Sequence, residues 1–184
     1  MVSLVNSIPA ANESPEAGQS CTNVTDTFDE VGFVTSSSKL LGTLGGIIPQ
    51  SSPNLASATI LNDLLQLGPL TLQPFGNITA SPSKYFDIYS GWLACTLMQG
   101  SSQVPGLPLG CTVTVSGIDK DSNTVPAYTT SFSPTNVLAN PMAFFQLPDS
   151  FRNLISVTFG VATSGLLPAT TALFLDNVSM CTYS

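Results

Sequence analysis

Two cysteine-bearing segments do most to limit the folds open to this chain: YFDIYSGWLACTL at 85–97 and CTVTVS at 111–116. In the second, Cys111, Val113 and Val115 alternate with Thr112, Thr114 and Ser116, the two-residue period of a strand with one face buried. In the first, Phe86 and Ile88 are even-numbered, whereas Leu93, Cys95 and Leu97 are odd-numbered. A β-bulge at Ser90-Gly91 would return both sets to one core, since glycine permits the backbone angles a bulge requires. A Gly/Pro/Ser-rich loop over 100–110 joins the two segments. The pair therefore reads as a hairpin clamped by a Cys95–Cys111 disulfide, to which the other strands are added.

The rest of the chain follows the same grammar. Residues 21–31 alternate as a first strand. Residues 39–48 (KLLGTLGGII) are apolar and glycine-interrupted, and 49–54 form a proline-punctuated loop. Residues 55–67 are the one stretch with helical spacing, with a strand as the competing reading. LTLQPF at 70–75 reads as a strand before a turn at Asn77. Asp119-Lys-Asp-Ser-Asn123 turns the chain into VPAYTTSF, completing a second hairpin. Further strands are expected over 142–147, over 154–161 with Ile155, Val157 and Phe159 inward, and over 170–183. Short strands at regular spacing predict an all-β antiparallel sandwich of jelly-roll type with at most one short helix. Residues 1–20, with Pro9, Pro15 and no apolar period, read as a flexible leader, and 21–184 as one domain.

Four cysteines allow three pairings. Cys21 opens the first strand and Cys181 closes the last, which are neighbours in many sandwiches, so Cys21–Cys181 and Cys95–Cys111 are the expected pairs. In the chain-entropy description the long closure contributes ~5 kcal/mol and the short one ~3 kcal/mol. With no C-x-x-C and no histidine, a zinc site is disfavoured. An even cysteine count points to an oxidising compartment. The sequons at Asn12, Asn23, Asn77 and Asn177 point the same way, because glycans would wet a surface that has only 15 charged residues. The chain reads as a secreted extracellular or cell-wall glycoprotein. Its start lacks the basic and apolar regions of an intact signal peptide.

Charge narrows the partners. Eleven acidic against four basic residues, a net charge of −7, disfavour nucleic acid and anionic membranes. No apolar run approaches the ~18 residues of a membrane span, so membrane insertion is not expected. The absence of histidine removes Ser-His-Asp and Cys-His catalysis, His-ligated zinc, and the imidazole pair of a copper polysaccharide monooxygenase.

Carboxylates remain. A glycosidase needs two of them facing one cleft, ~5 to ~9 Å apart. Asp29, Glu30, Asp87 and Asp176 are the candidates, with no spacing that marks a cleft, and no enzyme is expected. Asp176 is sharper. If Asn177 is exposed, Phe174, Asp176 and Val178 face inward, and a buried carboxylate needs partners. Backbone amides or hydroxyls are the ordinary partners. A structural Ca²⁺ shared with Asp29 or Glu30 is the other, and the only cofactor contemplated. Asp119 to Asn123 imitates the start of a calcium loop but lacks its glycine and distal glutamate, so a turn is expected there. Tyr85, Tyr89, Trp92 and Tyr128 lie on or near the central hairpins. Exposed, they would stack on the rings of a neutral polysaccharide; buried, they fill the core.

Taken together, Thr27-Phe-Asp-Glu30, Pro49 to Asn54, Phe86-Asp-Ile-Tyr-Ser90, Cys111 to Gly117 and Leu175-Asp-Asn-Val178 resemble a group of small secreted fungal proteins. The resemblance covers most of residues 21–184 and implies a β-sandwich without assigned catalytic residues. The expectation for function is a non-catalytic module acting at a cell wall or host surface through carbohydrate such as cell-wall polysaccharide. The rivals are a structural or effector-type module contacting a host surface protein, and a glycan-active enzyme with paired carboxylates.

Overall fold

The computed structural model describes residues 20–26, 46–51, 56–58, 75–80, 84–99, 104–162 and 171–183. These contain twelve strands. In chain order they are β1 (Cys21–Asp26), β2 (Ile47–Ile48), β3 (Ala56–Ala58), β4 (Phe75–Thr79), β5 (Tyr85–Gln99) and β6 (Val104–Pro108). There follow β7 (Cys111–Asp119), β8 (Thr124–Phe132), β9 (Asn140–Pro141), β10 (Ala143–Gln146), β11 (Leu154–Ala162) and β12 (Thr171–Tyr183).

Hydrogen bonding runs β1-β12-β5-β11-β7-β8, with β3 on β12, β10 and β6 on β5, and β4 on β11. The link between β5 and β11 is a single pair, Phe86 with Leu154, and there the network folds over into two leaves. One leaf is β1, β12, β5 and β10; the other is β4, β11, β7 and β8. Counting those eight strands along the chain, the leaves read 1-8-3-6 and 2-7-4-5, the arrangement of an antiparallel jelly roll. Phe145 of β10 meets Phe159 of β11 edge to face across the gap, with ring centroids 5.8 Å apart. Phe86, Ile88, Leu93, Val113, Val115, Leu154, Val157 and Val161 are buried in the same core.

Both expected disulfides form, with Cα separations of 5.7 Å for Cys21–Cys181 and 6.2 Å for Cys95–Cys111. The first joins neighbouring strands β1 and β12. The second does something the sequence reading did not anticipate. β5 and β7 are not a hairpin: residues 104–108, expected to be loop, form β6 and occupy one edge of β5, while β12 holds the other. With both edges filled, Cys111 can reach Cys95 only across the core. The bridge therefore pins leaf to leaf, and the Leu109 amide donates to the Cys95 carbonyl beside it at 2.9 Å.

The parity change in β5 is real, and Phe86, Ile88, Leu93 and Cys95 share the core. The irregularity is double. Between Ile88 and Ser90, β5 has one residue more than β12; between Asp176 and Ser179, β12 has one residue more than β5. Asn177 absorbs the second bulge at φ 46°. Gly91 has no positive φ. It is needed because a Cβ there would stand 2.8 Å from the Phe145 ring and 3.3 Å from Val178.

Three other expectations shift. Asn77 lies inside β4 rather than in a turn. Ile155 is exposed and Leu154 buried, because a register break between Leu154 and Ser156 offsets the start of β11. Residues 56–58 are strand, while the rest of the 55–67 segment, the 70–74 stretch and residues 1–19 lie outside the described residues.

Replacing Gly91 with alanine forces the Phe145 ring off its seat, and we expect a loss of about 1–3 kcal/mol, as for other overpacked cores. Urea unfolding monitored by tryptophan fluorescence measures it. An unchanged midpoint would mean that the ring has room to move.

Candidate functional site

The outer face of the β12–β5 leaf carries most of the chemistry. At one end, Tyr85 and Tyr183 stack with centroids 4.6 Å apart, and both are buried. Beside them Asp87 is buried, 6% exposed, and its carboxylate is fully engaged. Oδ1 accepts the Asn153 amide at 2.8 Å. Oδ2 accepts the Tyr183 hydroxyl at 3.0 Å and the Tyr89 hydroxyl at 3.4 Å, with Arg152 Nε 3.9 Å away. Asn153 can present its amide because it sits at φ 52°, a region asparagine tolerates better than most residues.

Arg152 extends the cluster outward. Its Nη1 donates to the carbonyls of Ile88 at 3.0 Å and Phe151 at 3.2 Å, and its Nη2 to Asp149 Oδ1 at 3.0 Å. The guanidinium lies 4.4 Å from the centroid of the Tyr89 ring, a cation–π contact. Burial, helped by the negative charge of Asp87 and opposed by Arg152, raises the Tyr89 hydroxyl above its ordinary range. Burial and then the hydrogen bond and charge of Asp87 push Tyr183 up to about 12.

This cluster sets the 147–153 turn, and the turn forms one side of a shallow, open groove of about 460 Å³ lined by Tyr128, Gln146, Leu147, Pro148 and Asp149. The Leu147 amide donates to the Tyr89 carbonyl at 2.8 Å and the Ile88 amide to the Phe151 carbonyl at 3.2 Å, so with the Arg152 and Asn153 bonds the wall is tied to β5 along its length. Tyr128 comes from β8 and Gln146 from β10, the edge strands of the two leaves. Two residues before Gln146 on β10, Phe144 is 53% exposed and packs edge to face on half-buried Trp92 at 5.3 Å. The groove and the Trp92–Phe144 pair thus share one edge of the sandwich.

The four aromatics expected to form a row are divided. Tyr85 is buried against Tyr183 on the outer face, Tyr89 lies under Arg152, Trp92 is half-buried beside Phe144, and of the four Tyr128 alone lines the groove. Phe144, Gln146, Asp149 and Arg152 were not singled out in the sequence. For Phe144 and Gln146 the signal was there: Ala143-Phe-Phe-Gln146 alternates, and if Phe145 is core then its neighbours face out.

Asp176 is completely buried, on the outer side of its leaf and not in the inter-leaf core as expected. Ala172 and Phe174 share that side, opposite Thr96 and Ala94. The amide of Ser51 donates to Asp176 Oδ2 at 2.8 Å, its hydroxyl to Oδ1 at 2.7 Å, and the Asn177 amide to Oδ1 at 2.8 Å. Amides and a hydroxyl are thus the partners it has. Asp29 and Glu30 lie outside the described residues, and among the described residues no cluster of three acidic or cysteine ligands occurs. The 119–123 segment is a hairpin turn in which Asp119 Oδ1 accepts the amides of Asp121 at 2.9 Å and Asn123 at 2.8 Å.

Of the sequons, Asn23 is exposed on β1, Asn77 lies in β4, and Asn12 is outside the described residues. Asn177 is half-buried, with its Oδ1 shut away from solvent.

No family model and no curated protein matches the chain. Among solved structures the fold is similar to a DUF4465 family protein from Bacteroides caccae, with TM-score 0.48 and 14% identity over 72% of this chain and 63% of that one. It is also similar to the enzymatically active domain of bacteriophage CBA120 tailspike protein 4, with TM-score 0.34 and 13% identity. That match covers 89% of this chain and 18% of the phage protein. A third likeness is to an infectious bursal disease virus structure, with TM-score 0.29 and 16% identity over 96% of this chain and 37% of that one. These likenesses carry no argument about function.

The tyrosine cluster makes a pH prediction. A tyrosine raised from 10.0 to about 12 in the folded chain leaves stability intact below about pH 10 and costs it progressively as pH rises through 12. Ultraviolet titration should show Tyr183 ionising late, with Tyr89 also raised, and Asp87→Asn should bring both earlier. A Tyr183 that ionises near the ordinary tyrosine value of 10.0 would contradict the geometry of the cluster.

Proposed function

We propose that this protein is a secreted, non-catalytic binding module that holds a neutral glycan chain along the sandwich edge formed by β8 and β10. The observation that carries this reading is the groove between Tyr128 and the Gln146–Asp149 wall. Its composition suits a sugar: an aromatic ring to stack on C–H faces, an amide that both donates and accepts, and a carboxylate to receive hydroxyls. Arg152 holds Asp149 in place, so part of the ordering cost is met before a ligand arrives. Phe144 and Trp92 offer a second stacking position along the same edge. A chain molecule would bridge the two.

The compartment fits. Two disulfides suit an oxidising environment, and secretion with glycans at the exposed Asn23 and at Asn77 is part of the proposal. Binding is favoured over hydrolysis because Asp149 is the one carboxylate among the residues that line the groove, whereas glycosidases use two.

A polysaccharide pull-down with fungal and plant wall polymers tests the proposal. Tyr128→Ala and Phe144→Ala should each weaken binding about tenfold, the scale of a lost aromatic anchor. Gln146→Ala should weaken it without touching the core, which separates binding from folding. Wild-type protein that ignores every neutral polymer, or variants that bind as well as wild type, would refute the glycan reading.

A further inference from the structure

The two disulfides sit in opposite surroundings. Cys95 and Cys111 are 0% and 5% exposed, and their bridge lies in the core between the leaves. Cys181 is as deeply buried as Cys95, but its partner Cys21 is exposed at the start of β1. Thiol–disulfide exchange begins with a thiolate reaching one sulfur of a bridge, so access decides which of two bridges breaks first. Of the four cysteines, Cys21 is the one that a reductant in solution can approach.

The strand that carries Cys21 makes little use of the core. Every residue from Cys21 to Thr25 is exposed, Val24 included. Successive residues of a strand point to opposite faces, so neither face of β1 is buried. Its ladder runs along β12 from Cys21↔Tyr183 to Asp26↔Val178. A strand with few buried apolar contacts and solvent-exposed backbone hydrogen bonds belongs to the part of a fold that opens most readily. The crosslink is what ties its first residue down. β12, in contrast, is held on its other side by β5 and is buried along most of its length.

We infer that Cys21–Cys181 is a redox-sensitive latch: its reduction by a dithiol releases β1 and opens the outer edge of β12, while Cys95–Cys111 keeps the two leaves together. One thiolate of the dithiol attacks Cys21 Sγ and forms a mixed disulfide. The Cys21–Cys181 bond breaks with its electron pair on Cys181 Sγ, which takes up a proton. The second thiol of the reductant then gives up its proton, attacks the mixed disulfide and closes the reductant's own disulfide, leaving Cys21 Sγ to take that proton. The protein gains two thiols and the dithiol is oxidised. Release of β1 uncovers the backbone of β12 from Val178 to Tyr183, and an uncovered edge is a template for an added strand. β1 and β10 are opposite edges of their leaf, so the latch lies away from the groove and is independent of the glycan reading.

Timed reduction of the full oxidised chain with dithiothreitol is the test, with samples quenched in acid, alkylated in denaturant and mapped by peptide mass. The Cys21–Cys181 bridge should open about tenfold or more faster than Cys95–Cys111, the contrast expected between an accessible and a core-buried disulfide. Hydrogen exchange on the singly reduced protein should show protection lost over 21–26 and kept over 93–97 and 111–115. The double variant Cys21→Ser, Cys181→Ala should give the same pattern without reductant. Opening of Cys95–Cys111 first or at an equal rate, or β1 amides that stay protected once Cys21 and Cys181 are free, would overturn the inference. So would loss of protection throughout the core, or a double variant that does not fold, because release of β1 alone leaves the core in place.

Discussion

The rest of the molecule depends on the pairing of β5 with β12, the two longest strands, which run together from Tyr85–Tyr183 to Leu97–Thr171. One face of that ribbon supplies Ile88, Leu93, Cys95 and Leu173 to the core; the other holds Asp87, Tyr183 and Asp176. A strand with both faces buried needs both to be satisfied, and the ribbon does so differently along its length. Where the outer face is polar, Asp87 collects donors from Tyr183, Tyr89 and Asn153. Where it is apolar, around Ala94 and Phe174, it is closed over, and Ser51 supplies donors to Asp176. The paired bulges let one ribbon serve both arrangements, because each shifts the register by one residue and the second restores it.

The groove is a consequence of this ribbon and not an independent feature. Asp87 fixes Asn153 from below, Arg152 is held by the Ile88 and Phe151 carbonyls, and Arg152 in turn fixes Asp149. An exposed ion pair such as Arg152–Asp149 contributes little to stability on its own. Its role here is positional: it sets the wall against which Tyr128 stands. The same economy of charge is seen in the 133–141 loop, where Asn136 and Asn140 do the organising that ion pairs do elsewhere.

Much of the fold was legible in the residue pattern. The alternation of Cys111, Val113 and Val115, the change of parity in 85–97, the turn at 119–123 and both disulfide pairings are all found in the structure. What failed did so for identifiable reasons. The 100–110 segment was taken for loop because of its glycines and prolines, yet a proline-bearing stretch can sit on a strand edge, as β6 does. Ile155 was assigned inward by counting from Val157, and one register break reversed it. The candidate site was less legible still. Three of the four chosen aromatics lie outside the groove, and Gln146, Asp149 and Arg152 are unremarkable in sequence because their placement depends on which strands become neighbours.

Local order and composition determined which residues alternate, where the chain must turn, that the cysteines suit oxidising surroundings, and that these 184 residues offer no imidazole. Those properties belong to single segments or to composition, and no partner strand is needed to read them. Tertiary structure alone decided that Cys95–Cys111 spans the core, that Asp176 faces Ser51, that Tyr128 meets the 146–149 wall, and that Val137 and Leu138 stand clear of the surface. Each of these joins residues from strands or loops that come together only when the sheet folds over. Side-chain periodicity reports which face a residue takes, but it contains no information about what that face will meet.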